Sequence, residues 1–145
     1  MSPTPLLLLL LLCGTCYCSC PDSWTPFGSS CYVFIVQPLT WIDAAALCGV
    51  FGGNLVEINN LSENDFVWNL LTSRNVSEAW IGMSDLAQEG HWRWSSGATL
   101  SLTNWWPGEP NNLNGNENGG EIWTGGKWND TPTSRELPSV CERNK

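Results

Sequence analysis

The amino-acid sequence predicts one α+β domain, in which two helices pack against a mixed, mostly antiparallel sheet. Two stretches carry helix-capping residues followed by residues at helical spacing. Several short stretches around them are rich in β-branched and aromatic residues, as strands are. The length of 145 residues suits a single domain, and no internal repeat, heptad stretch or collagen-like run is present.

Both helices are predicted from their first residues. Thr40 is a typical N-cap residue, and Asp43 lies three positions later, where a capping box places its partner. The helix that follows has a face of small residues and is expected to end at a pair of glycines. Ser62 with Asp65 predicts the start of a second helix, which runs to about Thr72.

The strands are predicted from β-favouring composition or from alternation of large and polar residues. Trp123 and Trp128 flank a pair of glycines, and this pattern predicts a hairpin whose second strand delivers Asn129 and Asp130. The predicted strands are Cys31–Val36, Asn54–Ile58, Ala79–Met83, the stretch around Trp92 and Trp94, Glu121–Trp123, Lys127–Asp130 and Ser139–Glu142.

The first 19 residues are predicted to be a secretory signal peptide, and residues 20–145 to be the domain. Leu6 to Leu12 is an unbroken apolar run, too short to span a bilayer, followed by small residues. Seven cysteines occur in the chain, and cleavage after Cys18 or Ser19 leaves four. An even number in a secreted chain indicates two disulfides, for which three pairings are possible. We therefore expect a secreted, extracellular protein with no membrane span. The alternative is that the apolar run is retained as a hydrophobic anchor.

Charge excludes one class of partner and is compatible with another. Asp and Glu together number 14 against 6 Lys and Arg, giving a net charge of -8. Nucleic-acid binding requires a basic face, so nucleic acid is not an expected partner. His91 is the only histidine, and no partnered serine or cysteine nucleophile accompanies it. We therefore predict a binding protein and not an enzyme.

The chain from Gly97 to Gly120 is a long loop in which Gly, Asn and Pro dominate, and such loops are usually functional or disordered. Two adjacent tryptophans, at 105 and 106, argue against disorder. Side chains with oxygen at their tips cluster in the loop and the hairpin after it. Ca²⁺ takes about six to eight oxygen ligands. On residue types alone, two interpretations are open: a calcium site, or a solvated acidic loop. The candidate ligands of the calcium site are Glu109, Asn111, Glu117, Asn129 and Asp130.

Glu109-Pro110-Asn111 and Trp128-Asn129-Asp130 resemble the two signatures of C-type lectin-like domains. Trp80-Ile81-Gly82-Met83 resembles the core motif of the same family, and the offsets from Glu109 to Glu117 and to Asn129 also fit. The resemblance runs from about Cys20 to Glu142. It implies the fold of that family, Ca²⁺ as cofactor, and the disulfides Cys20–Cys31 and Cys48–Cys141.

The resemblance also implies a function. In the family, two adjacent sugar hydroxyls bind the ion at the primary site and hydrogen-bond its ligands, so Glu109, Asn111, Glu117, Asn129 and Asp130 would also contact sugar. The Glu-Pro-Asn order resembles the type that selects mannose, N-acetylglucosamine or fucose. We expect a lectin for microbial surface polysaccharides in innate immunity. The alternative is a protein-binding or mineral-binding module on the same fold.

The family's auxiliary calcium site is matched by Asp85 and Glu89, with Asn112, Glu117 and Asn118 at its remaining positions. Two positions that are usually Asp in the family are Asn here, and fewer charges weaken Ca²⁺ binding. The alternative is a solvated acidic turn. The family's third disulfide is missing, because Gly119 and Thr133 occupy its positions, and the loops are expected to depend more on calcium.

Two sequons predict N-glycosylation in a secreted chain, at Asn60 and Asn75. A third match begins at Asn129 and is interpreted as chance, because a glycan there would remove a calcium ligand. A single shallow sugar site binds weakly, and agglutination needs at least two sites on one particle. A homo-oligomer is therefore a possible assembly, and it would form through the surface of the domain.

Overall fold

The protein is described by a computed structural model that covers residues 19–145. The predicted signal segment, apart from Ser19, lies outside the described residues. Eight strands form one sheet, and two helices and two short 3₁₀ turns connect them. In chain order the elements are β1 Thr25–Phe27, β2 Ser30–Leu39, α1 Trp41–Val50, β3 Asn54–Leu55, α2 Leu61–Thr72, β4 Ala79–Ser84, β5 Arg93–Trp94, β6 Gly119–Trp123, β7 Lys127–Thr131 and β8 Leu137–Asn144.

The sheet is mixed, as predicted. The main path of neighbouring strands is β1-β2-β8-β4-β6-β7, while β3 pairs with β8 and β5 pairs with β4. Within residues 19–145 the strands pair antiparallel except β4 and β8, which run parallel with Trp80 opposite Ser139. The last strand therefore lies at the centre of the sheet, and the predicted α+β class is confirmed.

The start of α1 is as predicted and the start of α2 is not. Thr40 caps α1, because its Oγ1 accepts a hydrogen bond from the Asp43 N–H. The cap of α2 is Asn60, whose Oδ1 accepts from the Glu63 N–H at 2.8 Å. The carboxylate of Glu63 accepts from the N–H of Asn59, one residue before the cap. The capping pair Asn60 and Glu63 thus lies two residues before the predicted pair of Ser62 and Asp65.

Most predicted strands are present with shifted ends. The strand predicted at Asn54–Ile58 covers only Asn54–Leu55, because the backbone of the next residue, Val56, bonds to two other strands. The N–H of Val56 donates to the Val140 carbonyl, and the Val56 carbonyl accepts from Gly82. Gly82 must be glycine here, since a β-carbon would lie 2.5 Å from the Leu55 carbonyl oxygen. β2 and β8 are longer than predicted because they pair with each other along most of their length.

Two apolar clusters cover the two sides of the sheet. One contains Val67, Leu70 and Leu71 of α2, and the other contains Ala44 and Cys48 of α1. Disulfide bonds join Cys20 to Cys31 in the first hairpin and Cys48 of α1 to Cys141 of β8. These are the pairings that the family resemblance implies. The second bond links segments 93 residues apart and fixes α1 to the centre of the sheet.

The long loop between β5 and β6 is held by tryptophans instead of regular structure. The ring of Trp105 lies edge-on to Trp92 at 5.0 Å and to Trp128 at 6.1 Å between centroids. Trp128 in turn contacts Trp94 at 5.8 Å. Burying aromatic rings in this way anchors the loop to the core. The loop is therefore ordered, as its adjacent tryptophans predicted, and it lies beside the hairpin of β6 and β7.

Candidate calcium and ligand site

The candidate site is built around the carboxylate of Asp130, at the end of β7. Asp130 is fully buried. Its Oδ1 accepts from the Asn111 N–H at 3.1 Å, and its Oδ2 accepts from the Asn112 N–H at 2.7 Å. Hydrogen bonds from N–H groups to a carboxylate are charge-assisted and relatively strong. The strand thereby fixes the position of the Glu-Pro-Asn segment, whose Glu109–Pro110 peptide is cis.

Glu117 and Asn112 close the other side of the site. Glu117 is buried, and its Oε1 accepts from the Leu113 N–H at 2.7 Å. The N–H of Glu117 donates to Asn112 Oδ1 at 3.1 Å. The side chain of Asn111 donates to Glu109 Oε1 at 3.2 Å. Hydrogen bonds of one loop therefore link Glu109, Asn111, Glu117 and Asp130, and no basic side chain takes part in these contacts.

The charges of this cluster are not neutralised by their hydrogen bonds. Oε2 of Glu109 is buried and has no hydrogen-bond partner within residues 19–145. Burial raises the pKa of Glu109 above its usual value, and the adjacent Asp130 raises it further. Burial also raises the pKa of Glu117. An acceptor atom with no donor, beside two more carboxylates, fits a bound hard cation such as Ca²⁺.

Asn129 differs from the other predicted ligands in its contacts. It lies next to Asp130 on β7, and successive residues of a strand point to opposite faces. Its Nδ2 donates to Oε1 of Glu121 at 2.8 Å, directly across the hairpin. The described contacts therefore link Asn129 to Glu121 and not to the cluster around Asp130. Among residues 19–145, no three His, Cys, Asp or Glu side chains alone form a metal-binding group. The predicted site needs asparagine ligands as well.

Three of the residues predicted for a second calcium site lie together. Turned so that its nitrogen faces them, the Asn118 amide donates to Asp85 Oδ1 at 3.0 Å and to Glu89 Oε2 at 3.1 Å. Turned the other way, three side-chain oxygens converge, which is the arrangement a cation requires. Asn112 instead contacts the backbone of Glu117. The pKa of Glu89 is raised by local desolvation and then by the charges of Asp85 and Asp130.

The sequence analysis did not identify Glu121 as part of this region. Glu121 is 1% exposed, and Arg135 Nη1 lies 3.6 Å from its Oε1. Arg135 also bonds Glu78 at 3.0 Å. The available signal was the register of the predicted hairpin. Pairing across the Gly125-Gly126 turn places Glu121 opposite Asn129, and a carboxylate there can fix the amide.

The remaining predicted positions are the three glycosylation sequons and the two positions of the missing disulfide. Asn60 and Asn75 are exposed. The Oδ1 of Asn60 accepts the hydrogen bond that caps α2, and the side-chain nitrogen of Asn60 takes no part in that cap. Asn129 is half-buried and hydrogen-bonded. A β-carbon at Gly119 would lie 3.1 Å from Cγ2 of Thr133, so these two positions are neighbours.

The fold and this site define a class of binding domain that known proteins share. Residues 37–143 match the lectin C-type domain. C-type mannose receptor 2 of Homo sapiens is 36% identical over 126 residues, which are 86% of this chain and 8% of that protein. The chain thus spans a small part of that relative. The perlucin-like protein of Mytilus galloprovincialis is 38% identical over 117 residues, 77% of this chain and 74% of that protein.

Solved structures show the same likeness. The carbohydrate-recognition domain of cow CD23, determined in the presence of a GlcNAc2Man3 oligosaccharide, is 39% identical with a TM-score of 0.80, covering 88% of this chain and 97% of that one. Human lithostathine is 30% identical with a TM-score of 0.81, covering 87% of this chain and all of that one. A calcium-independent type II antifreeze protein is 26% identical with a TM-score of 0.80, covering 87% and 95%.

This chain belongs to the C-type lectin domain family. Members of the family are generally non-enzymatic binding modules, and C-type lectin domains generally bind calcium and carbohydrate. The two disulfide bonds are compatible with an extracellular location. Within the described residues, no helix is both long and apolar enough to cross a membrane.

Proposed function

We propose that this protein is a secreted, calcium-dependent lectin for mannose-type sugars, namely mannose, N-acetylglucosamine and fucose. The observation that carries the proposal is the cluster around Asp130, where Glu109 Oε2 is buried and has no donor among residues 19–145. A cation would neutralise that oxygen. The ligands would be microbial surface polysaccharides, and the role would be recognition in innate immunity. The protein would have no enzymatic activity.

Each residue of the site would have its own role in binding calcium and sugar. Glu109, Asn111, Glu117, Asn129 and Asp130 would hold Ca²⁺, which supplies a Lewis-acidic centre that binds sugar hydroxyls. Carboxylates of Glu109 and Glu117 would accept hydrogen bonds from those hydroxyls, and the amides of Asn111 and Asn129 would donate to them. Because donor and acceptor alternate around Pro110, their order selects the hydroxyl geometry that fits. Glu121 would hold the Asn129 amide by the bond at 2.8 Å.

A change of this order tests the specificity. We expect mannose or N-acetylglucosamine, and not galactose, to elute the protein from a yeast mannan column in the presence of Ca²⁺. Glu109→Gln with Asn111→Asp exchanges acceptor and donor on both sides of Pro110, so preference should move towards galactose. The measurement is the concentration of each monosaccharide that elutes half of the protein.

The matched control is Glu136→Gln, which removes one carboxylate at an exposed position away from the site contacts described above. It should elute as the unchanged protein does. Elution of the unchanged protein by galactose alone would contradict the assignment. Retention on mannan that persists in EDTA would contradict the calcium dependence.

A second candidate function is supported by the structural neighbours. A calcium-independent antifreeze protein and lithostathine share this fold, so a protein-binding or mineral-binding module is the alternative. A glycan array read with and without EDTA separates the two. Calcium-dependent signals on mannose-type glycans favour the lectin, and an array without signals in either buffer favours the other module.

We propose three further features on the same basis. A second Ca²⁺ would bind at Asp85, Glu89 and Asn118, with Asn112 and Glu117 completing it. Glycans would be attached at Asn60 and Asn75. Residues 1–19 would be removed as a signal peptide, leaving residues 20–145 as the mature domain.

A further inference from the structure

Two tryptophans beside the candidate site do not belong to the core. The sequence contains ten tryptophans. Eight lie in the two apolar clusters or pack against them. The remaining two, Trp106 and Trp123, lie outside both clusters and face each other at 5.6 Å between ring centroids, at an angle of 60°. The core therefore does not explain why two large aromatic side chains occupy these positions.

Both tryptophans of the pair are partly exposed to solvent. Trp106 is 39% exposed and Trp123 is half-buried. Single exposed apolar residues are common on protein surfaces, but two adjacent tryptophans form a continuous apolar patch. Tryptophan is also enriched among the residues that dominate binding energy at interfaces. This pattern is typical of a contact surface.

The backbone of Trp106 joins the patch to the candidate site. Its carbonyl accepts a hydrogen bond from the N–H of Glu109 at 2.9 Å, which closes a tight turn before the Glu-Pro-Asn segment. Its N–H donates to the carbonyl of Trp128 at 2.8 Å, one residue before Asn129. Trp106 is thus bonded to both segments that supply the predicted ligands.

Trp123 approaches the site from the hairpin. It lies two residues after Glu121 on β6, so both side chains project from the same face of the strand. Glu121 holds the amide of Asn129 across the hairpin. The aromatic pair therefore lies on the face of the hairpin that carries Asn129, one of the predicted ligands.

We propose that Trp106 and Trp123 form a second sugar subsite, which binds the pyranose next to the one held at the candidate calcium site. This inference rests on the proposed lectin function. A pyranose presents a face of C–H groups that packs on an indole ring, while its hydroxyls remain in water. The patch is continuous with the site through the turn from Trp106 to Glu109, so a glycosidically linked neighbour is the occupant that its position favours.

The test compares a monosaccharide with an oligosaccharide on the full-length protein. Calorimetric titrations in saturating Ca²⁺ would use methyl α-mannoside and an α-linked mannotriose, with the variants Trp106→Ala and Trp123→Ala. Each variant should weaken mannotriose binding about two- to tenfold, the range expected for an aromatic contact. Binding of methyl α-mannoside and of Ca²⁺ should not change. Phe51→Ala is the control, because Phe51 is 41% exposed and is paired with Trp24 away from the site.

A spectroscopic measurement makes the test independent of how well the variants fold. Protein labelled with 5-fluorotryptophan would give ¹⁹F signals for positions 106 and 123, assigned with Trp106→Phe and Trp123→Phe. Mannotriose should shift these signals and methyl α-mannoside should not. Signals that mannotriose leaves unmoved, in a protein that binds methyl α-mannoside, overturn the subsite alone. A protein that binds neither sugar overturns the lectin function and the subsite together.

Discussion

A single buried carboxylate, Glu121, connects the stability of the protein to its candidate site. Its Oε1 accepts from Asn129 at 2.8 Å, and its buried Oε2 has no hydrogen-bond partner in the described part of the chain. Burial raises the pKa of Glu121 to about 7, and nearby Glu78 adds to the rise, while Asn129 and Arg135 oppose it. The native state thus retains a proton on Glu121 at a pH where the unfolded chain has lost it.

We expect Glu121→Gln to flatten the dependence of stability on pH. Because the folded pKa lies above the ordinary value of 4.5, the free energy of unfolding should fall as pH rises from about 4.5 to about 7. Glutamine can still accept from Asn129 and never ionises. The variant should therefore gain on the order of 2 kcal/mol over the unchanged protein at pH 8, and little at pH 5.

Urea unfolding in EDTA at the two pH values measures this difference. Glu136→Gln provides the control, since it removes an exposed carboxylate and should leave the pH dependence unaltered. A Glu121→Gln protein whose stability changes with pH as steeply as the unchanged protein would show that Glu121 does not carry the effect.

At the scale of elements, the hairpin of β6 and β7 is positioned by a helix that contributes no ligand. Asn64 of α2 is buried, and its Oδ1 accepts from Trp128 Nε1 at 2.8 Å. Its Nδ2 donates to the Gly126 carbonyl at 2.9 Å in the turn of the hairpin. The buried amide satisfies polar groups of the hairpin that would otherwise lose water without compensation. The strand that carries Asp130 is therefore fixed at its start.

The loops on the other side of the hairpin lack a covalent brace. Gly119 opens β6, and Thr133 follows β7, with the two positions adjacent in space. We expect Gly119→Cys with Thr133→Cys to form a disulfide that closes a short loop. In the chain-entropy account, closing a loop of about 15 residues stabilises by about 3 kcal/mol. The calcium-free form should gain more than the calcium-bound form, because on the proposed function a bound ion would already order these loops.

Thermal unfolding of the oxidised double variant, compared with Gly119→Ser combined with Thr133→Ser, isolates the contribution of the bond and leaves the two native disulfides intact. A β-carbon at position 119 would lie 3.0 Å from Trp80 Cζ3, so Gly119→Ala reports the cost of that contact alone. An oxidised variant that gains the same amount with and without Ca²⁺ would contradict the idea that calcium orders the loops.

Sequence patterns predicted elements better than the contacts between them. The N-cap of α1 and the β6–β7 hairpin depend on neighbouring residues and were predicted correctly. The start of α2 was not, because two capping pairs overlap there, and a tertiary contact favours Asn60 with Glu63. The Tyr32 hydroxyl donates to Glu63 Oε2 at 2.6 Å from another part of the fold. The bond between Asn129 and Glu121 was missed for another reason, because it follows from the register of the hairpin and not from either residue alone.

On the scale of the whole molecule, the sheet brings together segments that are distant in sequence. β8 pairs with β2 and runs parallel to β4, so segments from the beginning, middle and end of the described residues lie side by side in the sheet. The Cys48–Cys141 bond fixes this arrangement. The candidate site lies on loops at the other side of β4, where polar side chains and backbone N–H groups hold it together. Stability of the core and order of the site should therefore respond differently to calcium.

We expect millimolar Ca²⁺ to raise the melting temperature at neutral pH, and most of the rise to vanish near pH 5. A ligand that binds only the folded state stabilises it according to its concentration and affinity. Glu109, Glu117 and Asp130 must be ionised to hold the ion, so protons compete with it. Burial raises the pKa of Glu109 and of Glu117 in the metal-free fold, so this competition begins above the ordinary carboxylate range.

Two effects of acid both reduce the calcium-dependent rise in melting temperature. In the metal-free fold, a raised carboxyl pKa means that the protonated group is favoured. Acidification therefore stabilises the metal-free protein, because it reduces the repulsion among the carboxylates. Acidification also weakens calcium binding, so the difference in melting temperature between the calcium-bound and calcium-free forms narrows as pH falls.

Differential scanning calorimetry in EDTA and in Ca²⁺, at pH 7.5 and pH 5, measures both effects. Glu109→Gln should lose most of the calcium-dependent rise, whereas Glu136→Gln should keep it. A melting temperature that Ca²⁺ leaves unchanged at neutral pH would mean that the cluster around Asp130 does not bind calcium.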